Sequence, residues 1–216
     1  MGLAATPGII RLFRFRPLRA AFDAILRDEM IPDLLRLPGL RDVHVGRQGP
    51  GDLGPRLVAS IWDSRAAMAE AVGEDFDPPT FHPERLAETT DRELLWLPLA
   101  FSWTADIPGR PSVLRLVTGR VRPDELDAYV AEARSGTIDD ATAGHGPLTL
   151  HLAARPPDRF LTLSTWPDWP TLQEATGGDV GRPIATRHAE RLLDWGASHF
   201  EVIPTPHPPA ASRRPR

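Results

Sequence analysis

Histidines are the only side chains in this 216-residue sequence that titrate near neutral pH, and four of the seven fall into two pairs. His82 opens the stretch HPERL and His188 opens HAERL, which differ at one position. An imidazole at either place can ligate a metal or move a proton. The same letters also describe a helix start. Pro83 suits a first helical position, Glu84 and Arg85, like Glu190 and Arg191, suit a solvated face, and Leu86 and Leu192 suit the core. His188 lacks the following proline, and Arg182-Pro183 can start its helix six residues earlier. His188 is therefore expected mid-helix, on the face of Leu192 and partly buried, which favours it over His82 as ligand or acid–base residue.

His44 in VHVGR and His151 in LHLAAR form the second pair. Each sits between apolar neighbours on a strand pattern, so its side chain points away from the face they occupy. In an open sheet that face is wet. In a closed barrel it lines the lumen or a pocket. A metal there needs two or more converging ligands, and nothing in the spacing brings His44 to His82.

Arg11 and Arg115 occupy matched places in apolar strands, where a guanidinium needs a carboxylate partner, an anionic ligand or an outlet to water. A forked arginine suits a carboxylate. Trp62 and Trp166 end equivalent strands, where an aromatic ring packs a helix onto the sheet or walls a pocket for an apolar or aromatic small molecule. Ser60 and Ser164 lack the glycines of a nucleophile elbow.

Composition removes several chemistries. The chain has no cysteine, and all 25 basic side chains are arginine. Disulfides, thiolate metal sites, Schiff-base lysines and the lysine of a phosphate loop are absent. A net charge of -4 argues against a nucleic-acid partner. The lack of a long apolar run or a secretory leader pattern argues against a membrane partner and for a cytoplasmic protein.

The elements that must position these residues come twice. Ser60-Ile61-Trp62 matches Ser164-Thr165-Trp166 at an offset of 104, as Arg11-Leu12 matches Arg115-Leu116. HPERL and HAERL match at 106. Offsets shared over so much sequence mark an internal repeat. Each copy reads strand, helix, two strands around a Gly/Pro-rich turn, a capped helix, the HxERL segment and a closing strand. That order is βαββαβ, a ferredoxin-like half in an α+β chain. The boundaries expected are 1–101 for the first half, 102–111 for a linker, 112–204 for the second half and 205–216 for a disordered, Pro-rich tail.

The strand ending in Ser-x-Trp, the capped Ala-rich helix, the His-bearing segment and the closing strand resemble the dimeric α/β-barrel superfamily. That superfamily includes antibiotic biosynthesis monooxygenases, haem-degrading monooxygenases and chlorite dismutase-like proteins. The resemblance implies that the two antiparallel sheets pack into an intrachain barrel, as monomer or homodimer, with a pocket between the sheet and the helices of one half. It implies a monooxygenase-like oxidoreductase acting on an apolar or aromatic molecule. The alternatives are a haem-binding barrel, whose proximal histidine falls near His82 or His188, and a non-catalytic binding or scaffold barrel. The cofactor is accordingly none or haem. Some of these enzymes use an asparagine near the first strand, and this chain contains none. Half two carries Trp169 and Trp195 without tryptophans at the matched places of half one, so a single functional pocket is expected there.

Overall fold

Strand β1 (Ile9–Pro17) is buried on both faces for most of its length. Ile10 and Leu12 point into one apolar cluster, while Ile9, Phe13 and Phe15 point into another. Strand β3 (Arg56–Trp62) is buried throughout, with the same division of its side chains. A strand enclosed on both sides reads as a continuous apolar run. The computed structural model describes residues 8–49, 51–73, 83–105, 109–142, 146–184 and 188–205.

Eight strands close into an antiparallel barrel in the order β1-β3-β2-β8-β5-β7-β6-β4. The others are β2 (Leu40–Arg47), β4 (Thr89–Thr104), β5 (Val113–Val121), β6 (Thr149–Arg155), β7 (Arg159–Trp166) and β8 (Leu192–Val202). Each half contributes four neighbouring strands, β4-β1-β3-β2 and β8-β5-β7-β6, so the chain is two tandem ferredoxin-like halves closed into one barrel. β4 continues through Thr104, which makes the first residues of the expected 102–111 linker part of the barrel wall.

The two seams between halves differ. β4 and β6 pair over five positions, from Leu99 opposite Ala153 to Thr104 opposite Thr149. β2 and β8 pair only at Gly46 with Val202 and Arg47 with Glu201. At that short seam a Cβ on Gly46 would lie 2.5 Å from the Cβ of Phe200, so the close approach requires glycine.

Helices cover the outer faces. In half one, α1 (22–34) carries a π-helical turn at Leu26–Met30, and α2 (Arg65–Val72) is capped by Ser64, whose hydroxyl accepts from the Ala67 amide. The short α3 (Pro83–Ala87) begins at Pro83. In half two, α4 (Leu126–Thr142) follows a 3-10 turn, and α5 (Trp169–Ala175) is capped by Asp168. No helix among the described residues is long and apolar enough to cross a membrane.

Candidate functional site

The HxERL segments act through their arginines. In half two, Arg191 reaches Glu125 at 3.0 Å and Glu132 on α4 at 2.8 Å. In half one, Arg85 pairs with Glu29 on α1 and with Glu88. The repeated motif thus ties each closing strand to the long helix of its own half. His188 corrects the sequence expectation. It precedes a 3-10 turn (Ala189–Arg191) instead of lying mid-helix, its side chain is 53% exposed, and its Nδ1 lies 3.0 Å from Glu190. The turn converts directly into β8, so Leu192 is buried as a strand residue and shares no helical face with His188. His82 lies outside the described residues.

Trp62 and Trp166 are fully buried. Each indole N–H donates to the serine hydroxyl two residues earlier, Ser60 or Ser164, at 2.9 Å. Residues i and i+2 share one strand face, so the hydroxyl satisfies a donor that burial would otherwise strand. The Ser-x-Trp repeat is therefore a packing device.

His44 and His151 meet. His44 stands opposite Ala59 on β3 and His151 opposite Leu163 on β7, and Ala59 and Leu163 are themselves one repeat apart. The histidines are thus equivalent positions of the two halves. Ala59 and Leu163 face the inner apolar cluster, which places both imidazoles in the lumen. β2 and β6 lie on opposite sides of the barrel, and the two Nε2 atoms approach to 3.0 Å across it. Asp42, missed in the sequence, adds a carboxylate oxygen 3.2 Å from His44 Nε2. Ser102 Oγ lies 3.0 Å from His151 Nδ1. Burial pushes His151 down to about 3, with the charge of His44 acting the same way, so its ring is neutral at physiological pH. Burial works to raise Asp42, but its hydrogen bond to His44 and the charges of both histidines outweigh this and hold it at about 2.

Arg11 and Arg115 are both buried on the helix-facing side. The guanidinium of Arg115 donates to the carbonyls of Val180 and Arg182, with no carboxylate in ion-pair contact among the described residues. Burial lowers it to about 10, so it remains a cation at neutral pH. Its cross-strand neighbour is His199 on β8. The buried Arg115 Nε, His199 Nε2 and Tyr129 Oη have no hydrogen-bond partner among the described residues. Burial raises the Tyr129 phenol, against the pull of the Arg115 charge, and keeps it protonated. Burial also lowers His199, reinforced by Arg115, and favours its neutral form. Trp169, partly exposed, lies with its ring 5.4 Å from that of His199. Sequence reading singled out Arg115 but not His199 or Tyr129. The available signal was the alternation of β8, which puts His199 beside Arg115.

The described residues do not fit haem at His188. That imidazole is exposed and faces Glu190 at the surface.

No known family matches the chain by sequence, and no curated protein matches it. Solved structures do match. A proposed monooxygenase from Fusobacterium nucleatum is similar over 94% of each chain, with a TM-score of 0.67 and 11% identity. An anthrone oxidase-like protein is similar over 91% of each, with a TM-score of 0.59 and 17% identity. A mutant chlorite dismutase from Candidatus Nitrospira defluvii covers 91% of this chain and 92% of its own, with a TM-score of 0.54 and 10% identity. These likenesses establish the fold, a tandem ferredoxin-like barrel of the kind found in monooxygenase-like and chlorite dismutase-like proteins.

Proposed function

We propose that the protein is a small-molecule enzyme of the monooxygenase-like barrel type, with its substrate site on the helix-facing side of half two. The observation that carries this reading is the buried Arg115 guanidinium, which among the described residues has backbone carbonyl acceptors and the more distant charge of Asp179 but no carboxylate in ion-pair contact. A buried cation is costly unless something negative meets it. The unpartnered His199 Nε2 and Tyr129 Oη beside it are a proton acceptor and a hydroxyl donor left unused by the fold. The ligand that completes this set is an aromatic molecule bearing a carboxylate, enolate or phenolate oxygen. Arg115 pairs with that oxygen, the Tyr129 phenol donates to it, and the neutral His199 accepts a proton from a neighbouring hydroxyl. Trp169 supplies an aromatic wall at the exposed edge.

Oxygen-electrode assays with 1-hydroxy-2-naphthoate and with anthrone test the reading. The expected result is protein-dependent oxygen uptake that His199→Gln lowers by about 10²–10⁴-fold, the usual contribution of a general base. Uptake unaffected by His199→Gln, or none with either compound, contradicts it.

A further inference from the structure

Three electron-pair donors converge in the barrel lumen with too few protons to keep them apart. His44 Nε2 faces His151 Nε2 at 3.0 Å and Asp42 Oδ2 at 3.2 Å. A neutral imidazole carries one hydrogen, so a single proton on His44 Nε2 would have to serve both neighbours. The arrangement follows from the duplication. The same histidine, repeated on opposite strands, reaches the pseudo-twofold axis from both sides. Only half one adds a carboxylate. Its counterpart in half two is Thr149, whose hydroxyl is bonded to Thr165 at 2.8 Å.

We propose that the lumen binds one transition-metal dication of the zinc, cobalt(II) or iron(II) class through His44 Nε2, His151 Nε2 and a carboxylate oxygen of Asp42. All three ligand atoms lie within 4.8 Å of one another. Ligands about 2.0–2.1 Å from zinc stand roughly 3.0 Å apart in an octahedron and roughly 3.3 Å apart in a tetrahedron, and the two short separations here match those edges. Two imidazoles and one carboxylate are a donor set for this class of ion, and they leave coordination positions open. Ser102 at His151 Nδ1 fixes the ring so that Nε2 points inward, the role that outer partners of metal-bound histidines perform. Asp42 keeps 44% of its side chain exposed, which gives an ion a route from solvent, while His151 is enclosed. The lumen site lies across the sheet from the Arg115 site, so each stands or falls alone.

Cobalt(II) titration of untagged, EDTA-stripped full-length protein tests the proposal, read by visible d–d absorption and by bound cobalt after desalting. The expected result is one cobalt per chain, displaced by zinc, with proton release on uptake. Asp42→Asn should weaken uptake at least tenfold, and His151→Leu should abolish it. Ser102→Ala should weaken it by about tenfold to a hundredfold, as loss of an outer partner does. Asp42 is half exposed, so Asp42→Asn keeps the test valid should His151→Leu fail to fold, with circular dichroism checking each variant. No stoichiometric uptake, or uptake unchanged in Asp42→Asn, overturns the proposal.

Discussion

The helix-facing layers of the two halves are built from equivalent positions and packed in opposite ways. In half one a single apolar cluster runs from Ile9 through Phe13, Phe15 and Phe22 to Trp62 and Met68. In half two the same layer breaks into two clusters, one around Tyr129 and Phe160 and one around Val113, Trp166 and Leu172. The position beside Arg11 is Trp96, whereas the position beside Arg115 is His199. One repeat after the buried Arg56 comes Phe160, and one repeat after Phe15 comes Gly119. Duplication supplied two copies of the scaffold. Both keep a buried arginine at the repeated position, Arg11 in the aromatic-rich layer of half one and Arg115 in half two, and only half two sets His199 and Tyr129 beside it. Buried polar groups without partners are destabilising, so such a set points to a ligand more readily than to stability.

Buried arginines sharpen that contrast most strongly. Arg56 is saturated, donating to Asp23 at 2.5 Å, to the Gly54 carbonyl at 2.6 Å and to the Asp52 carbonyl at 3.0 Å. Arg56→Met leaves Asp23 only its 3.5 Å contact with Arg47 and should cost up to about 3–5 kcal/mol in urea unfolding, the usual loss when one partner of a buried pair is removed. Arg115→Met strands no carboxylate and should cost clearly less, while removing ligand binding. Equal losses would erase the distinction between a structural and a ligand-binding arginine.

The lumen histidines predict an acid effect. His151 sits at about 3 in the folded chain, against an ordinary value near 6.5. The unfolded chain therefore binds the proton first, so stability is complete above about pH 6.5 and falls as the pH drops toward 3. Asp42 adds a loss in the same direction as pH falls from its ordinary value toward about 2. Urea midpoints of metal-free protein should drop steadily through this window, and His151→Leu should flatten the drop. A flat wild-type profile would contradict the burial of His151.

Smaller and symmetric effects are expected where the halves agree. Trp62→Phe and Trp166→Phe each remove an indole–serine hydrogen bond and leave the hydroxyl behind, for about 1–3 kcal/mol apiece in thermal unfolding. A large difference between the two would break the equivalence of the scaffolds. His188→Ala should change stability by less than about 0.5 kcal/mol, as exposed substitutions do.

Repeat and element order were legible in the sequence because hydrophobic period and offset report directly on strands, helices and duplication, while closure into a barrel was implied by the resemblance to the dimeric α/β-barrel superfamily. A capped helix after each Ser-x-Trp strand was legible because capping is local, and the structure puts the caps at Ser64 and Asp168. The site was only partly so. Alternation placed His44 and His151 on the face opposite their neighbours, but their meeting depends on the stagger of strands across the barrel, which no local pattern encodes. The two lie 107 residues apart, because the β6–β7 turn is shorter than the β2–β3 turn, so the 104 offset hides their equivalence. Asp42 escaped because half two has no matching acid. HAERL drew attention to His188, which the structure leaves exposed, when the repeated element with a structural task is the arginine that holds a helix glutamate.

The central claim is that half two, and not half one, holds a ligand through Arg115. Calorimetric titration of wild-type and Arg115→Met protein with 1-hydroxy-2-naphthoate tests it most directly. The account predicts one molecule bound per wild-type chain and an affinity at least tenfold lower in Arg115→Met, the loss of one charge-assisted contact worth about 1.5–3 kcal/mol. Two molecules per chain, or one molecule bound equally well without the Arg115 guanidinium, would contradict it.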